Sequence, residues 1–124
     1  MKILRVLLVE DEPAVSAAML LVLEALGHAP KSCLDSEGCK AHLKGANFDL
    51  MILDLNLGTN ADDGVKLVQE IRSLRLPLPP MIILSAQPVN ELAAAAKAIG
   101  ARSYLRKPCT SKELRAAMMC AVAA

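Results

Sequence analysis

Asp54 closes the apolar run Leu50-Met51-Ile52-Leu53, and two other stretches of the chain end in polar groups suited to meet it. The acids Glu10-Asp11-Glu12 follow Val6-Leu7-Leu8-Val9, and the pair Lys107-Pro108 follows the short run Ser103-Tyr104-Leu105. Each polar group stands where a buried strand would leave a sheet. In open α/β sheets ligands bind outside the carboxyl ends of the strands. Carboxylates from two strands are hard oxygen donors for a divalent cation. A lysine aimed at the same place adds fixed positive charge, and the set suits phosphoryl chemistry.

The elements that must carry these groups alternate in type. Ile3 to Val9 is almost wholly aliphatic and reads as a strand buried on both faces. Pro13 suits a first helical turn and Gly27 a helix stop, so residues 13–26 read as a helix. A weak strand at Ala29 to Cys33 precedes a short helix, Ser36 to Lys44, ended by Gly45. Phe48 to Leu53 is a second strongly apolar strand, and residues 63–74 have helical spacing at Val65, Leu67, Val68, Ile71 and Leu74. Pro77, Pro79 and Pro80 prevent that helix from continuing. Met81 to Leu84 reads as a strand, residues 89–99 as an Ala-rich helix stopped by Gly100, and Ser103 to Leu105 as a last short strand. Thr110 and Glu113 have capping-box spacing and open a final helix. Five βα units imply a doubly wound, five-stranded parallel sheet with helices on both faces and right-handed crossovers.

The bulk properties agree with one such domain over residues 1–124. Hydrophobic residues make up 54%, enough for a core, but only one Phe and one Tyr are present, so aliphatic residues and Met must fill it. A net charge of +1 gives no general attraction to nucleic acid, and no aromatic cluster offers a stacking platform, so direct nucleic-acid binding is not expected. Cys33, Cys39, Cys109 and Cys120 form neither a zinc pattern nor a disulfide framework and read as thiols of a reducing cytoplasm. The N-terminal apolar run is interrupted by Arg5 and closed by acids, unlike a signal peptide. No stretch is long enough for a membrane span.

The ordered pieces Leu8-Val9-Glu10-Asp11-Glu12-Pro13, Leu53-Asp54, Asp63-Gly64, Leu84-Ser85-Ala86, Gly100-Ala101 and Tyr104-Leu105-Arg106-Lys107-Pro108 resemble the receiver domain of two-component response regulators. The resemblance covers the whole chain. It implies a flavodoxin-like (βα)5 fold with strand order 2-1-3-4-5. It also implies a phosphorylation-dependent switch rather than an enzyme, one that catalyses only its own phosphorylation and dephosphorylation. Asp54 matches the aspartate that accepts a phosphoryl group from a phosphohistidine. By similarity, Glu10, Asp11, Asp54 and the backbone carbonyl of Asn56 would hold Mg²⁺. Lys107 and the Ser85 hydroxyl would meet the phosphoryl oxygens, and small Ala86 would leave space for them. In this family the bond before the proline matching Pro108 is commonly cis. Ser85 and Tyr104 match the switch pair, the ring turning inward when the hydroxyl moves toward the phosphoryl group.

Taken singly, these residues have bland readings. The acid triplet favours a helix N-terminus, Ser85 could cap the next segment, and Lys107 could be a solvated lysine. Their gathering at one sheet edge outweighs those readings. Some positions depart from the family pattern. Gly58-Thr59-Asn60-Ala61-Asp62 makes a longer loop, with Gly58 where a proline is usual. Cys109 replaces a frequent aromatic, and Arg102-Ser103 replaces an acidic pair of a known dimer face, so that dimer mode is not expected.

The resemblance implies a sensor histidine kinase or histidine phosphotransfer protein as partner, docked on the first helix. At about 100° per residue, Val15, Met19, Val22 and Leu26 would share the inner face, leaving Leu20 and Leu21 outward. The last helix, apolar on all sides through Ala116-Ala117-Met118-Met119-Cys120-Ala121-Val122, should meet a second copy or a neighbouring domain. Two other classes compete. One is a receiver-like scaffold that takes no phosphate. The other is a small aspartyl-phosphate hydrolase, because Asp54-Leu55-Asn56-Leu57-Gly58-Thr59 is loosely similar to the haloacid dehalogenase motif. Asn56 stands where that motif has a second acid.

Overall fold

The computed structural model describes residues 2–55 and 63–123. Asn56 and the Gly58–Asp62 loop lie outside the described residues. The elements are β1 (Arg5–Val9), α1 (Pro13–Ala25), β2 (Ala29–Cys33), α2 (Ser36–Gly45), β3 (Leu50–Asp54), α3 (Asp63–Ser73), β4 (Met81–Ser85), α4 (Val89–Ile99), β5 (Ser103–Arg106) and α5 (Ser111–Val122). The strands form one sheet in the order β2-β1-β3-β4-β5, and every neighbouring pair is parallel.

The alternation of side chains along each strand divides the core in two. Leu7, Val9, Met51, Leu53, Met81 and Ile83 point to one face and pack with Cys39 and Leu43 of α2, Leu67, Val68 and Ile71 of α3, and Leu92, Ala96 and Ile99 of α4. Val6, Leu8, Leu50, Ile52, Ile82 and Leu84 point to the other face, under Leu23 of α1 and Leu114, Ala117, Met118 and Ala121 of α5. Every residue of β3 and β4 is buried, as expected for central strands covered on both sides. The edge strands β2 and β5 alternate instead, which is why their sequence signal was weak.

Strand boundaries shift by one or two residues for local reasons. The Leu4 amide donates to His28 Nδ1 rather than to a ladder, and Ile3 is exposed, so β1 begins at Arg5. Asp54 is itself within β3, opposite Leu84, where the expected strand stopped at Leu53. Helix ends follow the expected chemistry. Pro13 opens α1, the Asp35 carboxylate accepts from the Gly38 amide at 2.7 Å, and Thr110 with Glu113 forms a complete capping box. Gly100 closes α4 at φ 74°, a left-handed conformation that glycine adopts without steric cost.

The expected face of α1 needs correction. Ser16 and Leu23 are its buried residues, and Leu20 packs on the core with Met19, Val22 and Leu26. Only Leu21 of the leucine pair is outward, at 68% exposed. The inner stripe runs through 16, 20 and 23, the i, i+4, i+7 spacing of one helical face. A polar residue at its head hid that stripe, and Leu residues on several sides blurred it. In α5 the outward apolar residues are fewer than expected, because Ala117, Met118 and Ala121 are buried and Val122 packs on the core, leaving Ala116, Met119 and Cys120 exposed. Arg102, at the position of the missing acidic pair, instead donates to the carbonyls of Ala121 (2.8 Å) and Ala123 (3.3 Å), which cap the end of α5.

Candidate functional site

The carboxyl ends of β1, β3, β4 and the turn after β5 converge. Glu10 leaves β1 with its amide donating to the Cys33 carbonyl at 3.1 Å, so strand pairing with β2 sets its position. Its side chain is buried, and one carboxylate oxygen accepts from the Glu12 amide at 3.4 Å. Asp54 is buried at the last position of β3. Lys107 reaches both acids, with Nζ 2.5 Å from Glu10 Oε1 and 3.0 Å from Asp54 Oδ2. The Lys107 amide donates to the Ser85 carbonyl at 2.8 Å, which fixes the lysine backbone beside β4. The Lys107–Pro108 bond is cis, as the resemblance implied.

Glu10, Asp11 and Asp54 each offer a carboxylate oxygen, and these oxygens lie within 4.8 Å of one another. All are hard donors, so the set fits a small divalent cation that keeps several waters. The fourth expected ligand, the Asn56 carbonyl, lies outside the described residues. Burial is the main cause that pushes the Glu10 carboxyl up to about 7, and the nearby Asp54 adds to it against the pull of Lys107. Burial also acts to lower the Lys107 pKa, but its bonds to Glu10 and Asp54 outweigh that and leave it above the ordinary lysine value.

Ser85 is fully buried at the end of β4, and its hydroxyl accepts from the Gln87 amide at 3.2 Å. Asp54 pairs with Leu84, so Ser85 stands one residue beyond it on the adjacent strand. Tyr104 lies opposite Ile83 on β5, 38% exposed, toward the α4 side of the sheet. Ala86 is exposed at the same edge.

Two contributors were not recognised in the sequence. Gly64 opens α3 directly against the end of β3, and its amide donates to the Leu55 carbonyl at 3.0 Å. A Cβ there would lie 2.8 Å from Leu55 Cα and 3.2 Å from the Asp54 carbonyl oxygen. The Asp63-Gly64 pair was the available signal, but the close backbone approach that demands glycine needs the tertiary structure. The second is the Cys33 carbonyl, which holds Glu10 through a backbone bond that no side-chain pattern encodes.

Known proteins resemble this chain in sequence and in fold. The chain is 34% identical over 113 residues to the alginate biosynthesis transcriptional regulatory protein AlgB of Pseudomonas aeruginosa, covering 91% of this chain and 24% of that protein. It is 34% identical over 112 residues to the transcriptional regulatory protein RprY of Bacteroides fragilis, covering 90% of this chain and 46% of that one. The chain thus spans less than half of either relative. Among solved structures, the chemotaxis protein CheY4 of Vibrio cholerae superposes with a TM-score of 0.84 at 23% identity, over 97% of this chain and 99% of its own, a likeness of fold. NtrX of Brucella abortus superposes with a TM-score of 0.85 at 25% identity, over 98% of this chain and 27% of its own. Residues 6–119 match the response regulator receiver domain. With that match spanning nearly all of a (βα)5 sheet whose acids meet at the strand ends, the chain belongs to the receiver-domain family of two-component response regulators, a signalling rather than a catalytic enzyme family.

Proposed function

We propose that this chain is a phosphorylation-dependent switch in which Asp54 accepts a phosphoryl group from a phosphohistidine. The observation that carries the reading is Lys107 Nζ in contact with both Glu10 and Asp54, with Asp11 completing the acid cluster. One Asp54 carboxylate oxygen would attack phosphorus while the P–N bond to the donor histidine breaks. Lys107 holds positive charge beside the oxygens of the transferring group. The Ser85 hydroxyl offers a donor to the same group. Glu10, Asp11 and Asp54, with the Asn56 carbonyl as a fourth ligand by similarity, are proposed to hold Mg²⁺. The ion would supply the charge neutralisation that lets two anionic partners approach.

The donor would be a sensor histidine kinase or histidine phosphotransfer protein docked beside α1, where Leu21 is outward. Ser85 and Tyr104 would relay the modified state, and the exposed Met119 of α5 offers a contact for a second copy or a neighbouring domain. The proposed setting is the cytoplasm, and the proposed unit is a single domain over residues 1–124. Among the described residues no helix is long and apolar enough to cross a membrane.

Incubation with Mg²⁺ and acetyl phosphate, read by intact mass, tests the reading. A single phosphoryl adduct that requires Mg²⁺ is expected. Multiple-turnover release of phosphate would favour a hydrolase, and an unchanged mass would favour a scaffold that takes no phosphate.

A further inference from the structure

At the opposite end of the sheet from the acids, the chain forms a cavity of about 460 Å³. Leu4 and Met118 are buried at its floor, and the half-buried Leu26, Pro80 and Val122 form its walls. β1 separates the cavity from the candidate site, since Leu4 stands just before the strand and Glu10 just after it. Its volume and apolar lining are those of a small-molecule pocket, in which a few polar groups fix the ligand's orientation. Lys2, His28, Asp49 and Arg115 are the polar side chains that line it.

These four groups differ in what already holds them. Lys2 and Arg115 are exposed and make no ion pair among the described residues. His28 Nδ1 accepts from the Leu4 amide at 3.1 Å, so in the neutral ring the proton sits on Nε2, which is then a donor. Asp49 is the acid of this lining, and its Oδ2 already accepts from the Arg5 amide at 2.8 Å. The lining cations therefore outnumber the acid. The carbonyls of Val22, Leu23 and Glu24 at the end of α1 accept from the amides of Leu26, His28 and Gly27, and that of Ala121 in α5 accepts from Arg102. Neither helix end thus presents a full row of bare oxygens to the cavity.

We propose that this cavity binds a small amphipathic carboxylate. An alkyl chain or single ring lies on Leu4 and Met118, and the carboxylate meets Arg115, Lys2 and the His28 Nε2–H. The apolar floor and walls remove the hydrocarbon from water. A guanidinium presents paired N–H donors that match a carboxylate, and the lysine adds a point charge. A cation on the same hydrocarbon would instead face two like charges. The proposal does not depend on the chemistry of Asp54.

Amide spectra of the isotope-labelled chain, titrated with decanoate below its micelle-forming concentration, test the proposal. The amides of Leu4, His28, Asp49 and Met118 should shift together and saturate. Decyltrimethylammonium, which carries the same hydrocarbon on a cation, should bind at least about tenfold more weakly. Lys2→Glu with Arg115→Glu alters two exposed side chains and should weaken decanoate by about tenfold or more, with the rest of the spectrum retained. Shifts that stay linear in decanoate or scatter over the surface would overturn the proposal. Equal binding of the cationic amphiphile, or undiminished binding by the double variant, would do the same. So would shifts of these amides that follow protein concentration alone, which would place a second copy of the chain over the cavity.

Discussion

Glu10 links stability to pH at the residue scale. Burial, with Asp54 beside it, raises its carboxyl from 4.5 to about 7 in the folded chain. The folded form therefore binds this proton more tightly than the unfolded form, and folding takes up a proton between those two pH values. Metal-free stability contributed by this group falls as pH rises through that window, and the loss is complete above about 7. The Lys107 ammonium stays charged throughout it. Urea unfolding of metal-free protein at a series of pH values should show this slope, and Glu10→Gln should flatten it. Mg²⁺ prefers the ionised carboxylate and should flatten it as well. A slope that survives Glu10→Gln would assign the titration to another group.

At the scale of elements, two junctions hold the site in place. The start of α3 lies so close to the end of β3 that Gly64→Ala forces backbone apart. Overpacking of this kind costs about 1–3 kcal/mol, which a denaturant titration would read as a lower midpoint at unchanged slope. Unchanged stability would mean that the helix start relaxes freely. The outer face of α1 supplies a second test. Leu21→Asp should slow transfer from a protein phosphodonor yet spare labelling by acetyl phosphate, since the small molecule needs the acids but not the surface. Leu20→Asp should instead unfold the chain or lower its melting temperature, because Leu20 packs on the core. Equal loss of labelling with both donors in Leu21→Asp would remove α1 as the docking face.

For the molecule as a whole, cation binding and folding are linked. Mg²⁺ that binds only the folded chain stabilises it by about 2.7 kcal/mol at a hundredfold excess over Kd, so the melting temperature should climb with concentration. Asp11→Ala should abolish that climb, and a climb that persists would place the cation elsewhere. Much of this architecture was readable in the sequence because the central strands announce themselves. Val6-Leu7-Leu8-Val9, Leu50-Met51-Ile52-Leu53 and Met81-Ile82-Ile83-Leu84 are continuous apolar runs, and the candidate site residues Glu10, Asp54 and Ser85 sit at their ends. What escaped depends on contacts between distant segments. The inner face of α1 was obscured because Ser16 is buried while Leu21 is not. The need for glycine at 64 arises only when α3 docks against the end of β3.

The proposed switch depends on which carboxylate takes the phosphoryl group. Fragmentation mass spectrometry of protein treated with acetyl phosphate and Mg²⁺ should place a single phosphoryl group on the peptide carrying Asp54, and Asp54→Asn should lack it while keeping its fold. Phosphate located on Asp62 or Asp63, or labelling that persists in Asp54→Asn, would contradict the account.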